Sequence, residues 1–104
     1  MTDLTDIIGF EWDDGNARKN EKHNVSTAEA EQVFFNAPLL LLEDSKHSYQ
    51  EPRFHALGKT DESRKLHITF TLRQVGEKNA GEKIHIISAR DMHKKERVSY
   101  EKAT

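Results

Sequence analysis

Apolar and polar residues alternate through three runs in the second half of the chain. Residues 53–60, 65–74 and 83–90 place apolar side chains at every second position, which is the period of a strand with one buried face. The connections "DESR" and "VGEKNAGE" are rich in turn residues and predict two antiparallel hairpins. The middle strand would bury Leu66, Ile68, Phe70 and Leu72, and would leave on its other face His67, Thr69, Thr71 and Arg73.

The first half of the chain combines short apolar runs with helical spacing. "IIGFEW" predicts a strand at 7–12, and "LLLLE" at 39–43 predicts another, although the tail of a helix is the alternative there. Three helices are predicted, over residues 14–23, 26–37 and 91–102. Their boundaries are indicated by Asn24 after the first, the capping box of Ser26 and Glu29, Pro38, and Asp91 as the last N-cap.

Strand alternation also predicts where two arginines meet. A tight "DESR" turn would set Phe54 opposite Leu72 and Arg53 opposite Arg73, which is unfavourable unless an anion lies between the two charges. In the last strand, the alternation that buries its isoleucines would also bury Arg90, at a high cost in free energy. We therefore expect a bulge or a strand end near Ser88 that releases Arg90 to the surface.

Length and composition indicate one domain over residues 1–104, in which residues 1–6 are expected to be disordered. The chain has no cysteine, no apolar run long enough to cross a bilayer and no secretory signal, so we expect a cytoplasmic protein without a membrane partner. Charge is uneven: residues 1–51 hold 4 Lys+Arg and 11 Asp+Glu, and residues 52–104 hold 12 and 7. A charged-partner face and ordinary solvated faces are both compatible with this asymmetry.

Three arginines, Arg53, Arg73 and Arg90, form the most informative candidate set, because a guanidinium fork suits phosphate. Surface ion pairing is the alternative reading of these residues. His23 is a candidate acid or base and Lys22 a phosphate contact, although both also suit a helix end. The histidine spacing argues against a zinc site, and the sequence contains neither a phosphate-binding loop nor a nucleophile elbow.

The chain resembles the BrnT family of bacterial toxins over nearly its whole length. The resembling pieces, in order, are "FEWDDGNARKNEKHNVS", "AEQVFFN", "EPRFHALGKT", "TFTLR" and "IISARDMHKKERVSYE". Asn24 stands where the family usually has glycine, and asparagine is the next best left-handed residue. The resemblance implies a RelE-like α+β fold: two N-terminal helices packed on a small antiparallel sheet, followed by a C-terminal helix.

The resemblance also implies a metal-independent endoribonuclease that needs no cofactor and inhibits translation. A BrnA-type antitoxin would neutralise it and would bind operator DNA. Arg53, Arg73 and Arg90 would stabilise the phosphorane formed when a ribose 2′-hydroxyl attacks phosphorus, and His23 would transfer a proton. Lys22, Lys94, Lys95 and Arg97 would bind RNA, although the basic helix could instead attract an acidic antitoxin. A non-catalytic module that binds antitoxin or RNA remains the alternative function.

Overall fold

A five-stranded mixed sheet dominates the computed structural model, which describes residues 7–13, 15, 22–47, 51–74, 76 and 81–104. The described elements are β1 (Ile7–Glu11), α1 (Thr27–Gln32), a 3-10 turn (Val33–Phe35), β2 (Leu40–Asp44), a second 3-10 turn (Ser45–His47), β3 (Arg53–Lys59), β4 (Lys65–Gln74), β5 (Glu82–Asp91) and α2 (Lys94–Ala103). The strand order is β1-β5-β4-β3-β2. β1 runs parallel to β5, and every other neighbouring pair is antiparallel.

The predicted fold of two N-terminal helices on a small antiparallel sheet is wrong. The described chain has one short helix in its middle and one at its C-terminus, on a larger, mixed sheet. The helix predicted at 26–37 leaves α-helical geometry after Gln32, where the β-branched and aromatic "VFF" tightens into a 3-10 turn. The helix predicted at 14–23 lies outside the described residues except for Gly15, Lys22 and His23, and residues 1–6 lie outside them too.

Several local predictions are confirmed. The Ser26 hydroxyl accepts a hydrogen bond from the Glu29 N–H at 3.1 Å, and the Glu29 carboxylate accepts one from the Ser26 N–H at 3.1 Å. Asn24 has a left-handed φ of 57°. The last helix, in contrast, begins at Lys94 with His93 as its N-cap. The prediction of Asp91 as N-cap is wrong because that residue ends β5 and pairs with Arg64.

The β3–β4 hairpin has a register two residues away from the predicted one. Phe54 lies opposite Phe70, and Arg53 lies opposite Thr71 instead of Arg73. The position of the turn explains the shift: the Thr60 N–H donates to the Arg64 carbonyl and Ser63 takes a φ of 69°, so the turn is centred on Glu62, one residue before the predicted centre. A slip of two residues keeps every side chain on its predicted face.

A bulge in β5 determines which way Arg90 points. Ser88 lies opposite Thr69, whereas Ile86 lies opposite Phe70, so Ile87 is the extra residue. The bulge reverses the alternation and places Arg90 opposite His67, on the face away from the buried Ala89. The predicted bulge near Ser88 is therefore confirmed.

The sheet has one apolar and one polar face. Its apolar face packs against α1 and the first 3-10 turn, in a core that includes Val33, Ile68 and Phe70. We call the opposite side the polar face; its residues include His55, His67, Thr69, Thr71, Arg73 and Arg90. A small second core of Leu57, Met92 and Tyr100 fixes α2 over one end of this face. No helix within the described ranges is long and apolar enough to span a membrane.

Candidate active site

Five polar side chains meet on the polar face where α2 crosses it. They come from β2, β3, β4, β5 and α2, and we call them the histidine cluster: Asp44, His55, His67, Arg90 and Glu96. Sheet register produces this meeting, because His67 lies opposite Arg90 on β5 and diagonal to His55 on β3. All five are largely buried, with side chains 11% to 27% exposed.

Arg90 and Glu96 form a two-pronged ion pair. Arg90 Nη1 donates to Glu96 Oε1 at 2.8 Å, and Nη2 donates to Glu96 Oε2 at 3.0 Å. Nη2 also lies 2.7 Å from His67 Nδ1, which in turn lies 2.7 Å from Glu96 Oε2. The guanidinium, the carboxylate and one imidazole nitrogen therefore form a compact triangle.

The two imidazoles continue the chain of contacts toward Asp44. His67 Nε2 lies 2.8 Å from His55 Nδ1, and His55 Nε2 lies 3.0 Å from Asp44 Oδ2. The rings are edge to face, with centroids 4.8 Å apart. One set of neutral tautomers gives each contact of this row a donor: Arg90 donates to His67 Nδ1, His67 Nε2–H donates to His55, and His55 Nε2–H donates to Asp44. His67 Nδ1 and Glu96 Oε2 are then both acceptors, and Arg90 Nη2 donates to the two of them.

The environment lowers the pKa of both Glu96 and His67. Burial raises the pKa of Glu96, but hydrogen bonds from Arg90 and the His93 N–H outweigh it and lower this pKa to about 2. Burial lowers the pKa of His67, and the Arg90 charge adds to this effect while Glu96 opposes it. At neutral pH the cluster therefore pairs an anionic carboxylate with a neutral imidazole.

A groove of about 290 Å³ gives solvent access to the cluster. Its lining combines apolar and polar side chains: Leu42, His55, Leu57, His67, Lys95, Glu96 and Ser99. Both imidazoles therefore border a space that a small polar group can enter. Within the described residues, no group of three or more His, Cys, Asp and Glu side chains is arranged to hold a metal ion.

Arg73 lies near the other end of the polar face, and Arg53 lies between it and the histidine cluster, opposite Asp44 on β2. Arg73 donates to Glu11 at 2.8 Å and to Glu51 at 3.1 Å, and these hydrogen bonds raise its pKa. Arg53 is diagonal to it, opposite Thr71. His67, the β4 partner of Arg90, is six residues from Arg73 along the strand. The Cα atoms of Arg73 and Arg90 are therefore roughly 20 Å apart. The three predicted arginines therefore share a face but do not form one cluster.

His23 and Lys22 lie just before α1, and both are exposed. The His23 carbonyl accepts a hydrogen bond from Arg64 at 3.4 Å, and Arg64 pairs with Asp91 at 2.8 Å. Asp91 lies opposite the buried Leu66, so this group is on the α1 side of the sheet end. The structure does not bring His23 together with the three predicted arginines.

The basic side chains of α2 are exposed, and one of them reaches the groove beside the histidine cluster. Lys94, Lys95 and Arg97 are exposed, and Lys95 lines the groove. Arg97 also donates to the Met92 carbonyl at 3.2 Å. Of the three, Lys95 places positive charge at the border of the cluster.

Sequence reasoning treated His67 as an ordinary strand residue and did not single out His55 or Asp44. Alternation correctly placed His67 on the polar face, and that was the available signal. Their meeting with Asp44 and Glu96 depends on the strand order and on the crossing of α2. Neither follows from spacing along the chain.

Comparison with known proteins identifies a family for this chain. A family model described as "Ribonuclease toxin, BrnT, of type II toxin-antitoxin system" matches residues 12–96. The match includes His55, His67, Arg90 and Glu96. A search of curated proteins finds no match.

Proposed function

The chain belongs to the BrnT family of ribonuclease toxins of type II toxin–antitoxin systems, and from this premise we propose that it cleaves RNA at the histidine cluster. It is a toxin with an RNA target and an antitoxin protein as partner. The observation that carries the proposed location is the triangle of Arg90, Glu96 and His67, with all three contacts within 3.0 Å. It combines a phosphate-binding cation with a neutral base at the edge of a groove.

RNA binding would begin with Arg90. A phosphate group that enters the groove competes with Glu96 and His67 for the guanidinium, since phosphate offers the same bidentate geometry as a carboxylate. Lys95 borders the groove and adds attraction, and the exposed Lys94 and Arg97 add positive charge to the same helix. When Arg90 turns to the phosphate, His67 Nδ1 loses its hydrogen-bond donor and its lone pair becomes available.

Cleavage would then use His67 as the base. The 2′-hydroxyl proton moves to Nδ1, O2′ bonds to phosphorus, the bond to O5′ breaks, and the leaving oxygen takes a proton from solvent. Glu96 Oε2, already 2.7 Å from Nδ1, accepts the new imidazolium N–H. Arg90 offsets the charge that accumulates on the phosphorane. Because side chains supply both the base and the cation, we propose that the reaction is metal-independent.

The remaining assignments concern partners and location. We propose that the antitoxin is of the BrnA type and carries the operator-DNA contacts of the complex. We place the reaction in the cytoplasm, where RNA is translated. Arg53, Arg73, Lys22 and His23 remain candidate RNA contacts, and in our proposal they lie outside the reacting centre.

Purified His67→Gln and Arg90→Ala variants test the proposal in an RNA cleavage assay that contains a chelator. We expect the rate constant to fall about 10²- to 10⁴-fold for His67→Gln and about 10²- to 10³-fold for Arg90→Ala. Products should end in a 2′,3′-cyclic phosphate. Induced expression should arrest growth and protein synthesis for the wild type but not for either variant.

His93→Asn is the matched control, because it replaces an exposed imidazole at the start of the same helix with a favoured N-cap residue. It should cleave RNA at the wild-type rate. Full cleavage by folded His67→Gln and Arg90→Ala would overturn the proposed location. If Arg73→Gln abolished cleavage in that case, the reaction would lie at the other end of the polar face, and if Arg53→Gln alone did so, it would lie between the two ends. A folded wild type that neither cleaves RNA nor arrests growth would indicate a non-catalytic binding module.

A further inference from the structure

Asp44 and His55 extend the histidine cluster away from the proposed reacting atoms. Asp44 ends β2, its side chain is 11% exposed, and His55 lies between it and His67. Two imidazoles and one carboxylate thus form a continuous hydrogen-bonded row across three strands. A row of this kind is costly to bury unless every member has a partner.

We propose that Asp44 and His55 are positioning residues that fix the tautomer of His67. This proposal rests on the proposed function, because it assigns His67 as the base. The Asp44 carboxylate can only accept, so it requires the proton of His55 on Nε2 and leaves Nδ1 as an acceptor. His55 Nδ1 in turn requires the proton of His67 on Nε2. The lone pair of His67 then lies on Nδ1, which faces Arg90 and Glu96.

The same row would stabilise the charge that catalysis creates. Once His67 Nδ1 takes a proton, both of its ring nitrogens donate, one to Glu96 and one to His55. His55 Nδ1 is a good acceptor for the charged His67, because the Nε2–H of His55 donates to the anionic Asp44. Asp44 therefore acts through His55 on a base that it does not touch, as the carboxylate of a catalytic triad acts on its histidine.

Thr69 makes a further contact with the row, at His55. Its hydroxyl oxygen is 3.2 Å from His55 Nδ1, on the side of the ring that faces His67. A hydroxyl can donate to an acceptor nitrogen, so this contact is compatible with the tautomer that Asp44 imposes. The charged groups around the pair are Asp44, Arg53, Arg90, Lys95 and Glu96.

Asp44→Asn is the test, with Glu43→Gln as its matched control. Both variants remove one negative charge from β2, but Glu43 is exposed and adjacent in sequence, so its side chain points to the other side of the strand. We expect Asp44→Asn to lower kcat about 10- to 100-fold with little change in KM, and to shift the acid limb of the pH–rate profile. Glu43→Gln should match the wild type in all three.

Nitrogen-15 NMR of the histidine rings supplies a readout that needs no RNA. In the wild type, the shifts should show protonated Nε2 and unprotonated Nδ1 on both His55 and His67 at neutral pH. In Asp44→Asn a substantial fraction of His55 should change tautomer, since an amide can donate to Nε2 as well as accept from it. His67 should follow. His55→Phe should disturb the His67 tautomer in the same way.

The outcomes separate this inference from the proposed function. If His67→Gln is inactive while folded Asp44→Asn keeps the wild-type rate, pH profile and tautomers, the positioning role is wrong and the proposed base stands. If Asp44→Asn changes the tautomers but folded His67→Gln still cleaves, the row exists and the reaction lies elsewhere, which overturns the positioning role in catalysis.

Discussion

Glu96 joins the start of α2 to the end of β5. Its Oε1 accepts from the His93 N–H at 2.8 Å and from Arg90 at 2.8 Å, so one oxygen serves both a helix cap and an ion pair. Because the carboxylate is only 23% exposed, these donors replace most of its water. The residue that orients Arg90 therefore also stabilises the fold, and this stabilisation depends on its negative charge.

Acid should weaken this stabilisation, and Glu96→Gln should reveal it. The pKa of Glu96 is about 2 in the folded protein against 4.5 ordinarily, so its contribution is complete above about pH 5 and is lost as pH falls toward 2. After allowance for partial exposure, we expect about 1–2 kcal/mol. Urea unfolding at pH 7 and pH 3 should show the wild-type advantage over Glu96→Gln shrinking at pH 3.

Glu62→Gln is the control for that series. Glu62 is exposed in the β3–β4 turn, so its neutralisation should leave a pH dependence parallel to that of the wild type. A Glu96→Gln variant whose free energy of unfolding differs equally from the wild type at both pH values would contradict the assignment. The stabilisation would then come from packing and not from the carboxylate charge.

Single residues were predictable from the sequence to the extent that their role is local. Ser26 and Glu29 cap α1 as expected, because a capping box needs only a spacing of three. Arg90 reached the polar face as expected, because burying an unpaired guanidinium is too costly. Asp44 and His55 could not be assigned, since they acquire their roles from partners 11 and 12 residues away on other strands.

At the scale of the elements, β3 packs closely against the 3-10 turn after α1. Gly58 lies where a Cβ would be 2.7 Å from Val33 Cγ1 and 3.3 Å from Leu39 Cδ1. Val33 is β-branched and fully buried, so it has little freedom to move aside. The missing side chain at residue 58 therefore allows the turn to pack on the sheet.

Gly58→Ala should lower the free energy of unfolding by about 1–3 kcal/mol through overpacking. Gly9→Ala is a matched control on another strand, because a Cβ at residue 9 would meet nothing within 4 Å. It should change stability by less than about 0.5 kcal/mol. Chemical denaturation of both variants measures the difference, and equal losses would contradict the close packing at Gly58.

The arrangement of elements was predictable only where neighbours in sequence are neighbours in space. The β3–β4 and β4–β5 hairpins and α2 were anticipated, because alternation and turn composition define them locally. The parallel pairing of β1 with β5 was not, since it joins residues more than 70 positions apart. Local patterns therefore predicted the strand at 7–12, but not the parallel pairing that makes the sheet mixed.

At the scale of the molecule, the two sides of the sheet have separate tasks. The apolar face buries Phe70 and Ile68 completely, and the polar face presents two groups of charged residues near its two ends. α2 covers the histidine cluster on one side and brings the exposed Lys95 to its edge. The basic residues of 52–104 are therefore spread over the fold, and Arg90 and Lys95 are those at the proposed reacting centre.

Salt dependence of RNA binding tests whether α2 contacts the RNA backbone. We expect Lys94→Gln/Lys95→Gln, made in inactive His67→Gln protein, to bind single-stranded RNA more weakly at low salt. Each lost phosphate contact removes about 0.7 from the slope of log K against log salt, so the pair should reduce it by about 1.4. Lys102→Gln, at the far end of the same helix, is the control and should keep the slope of its parent. An unchanged slope in the double variant would mean that Lys94 and Lys95 do not contact the RNA backbone. The two lysines would then be candidates for the antitoxin interface, which the affinity of the antitoxin for the same variants would test.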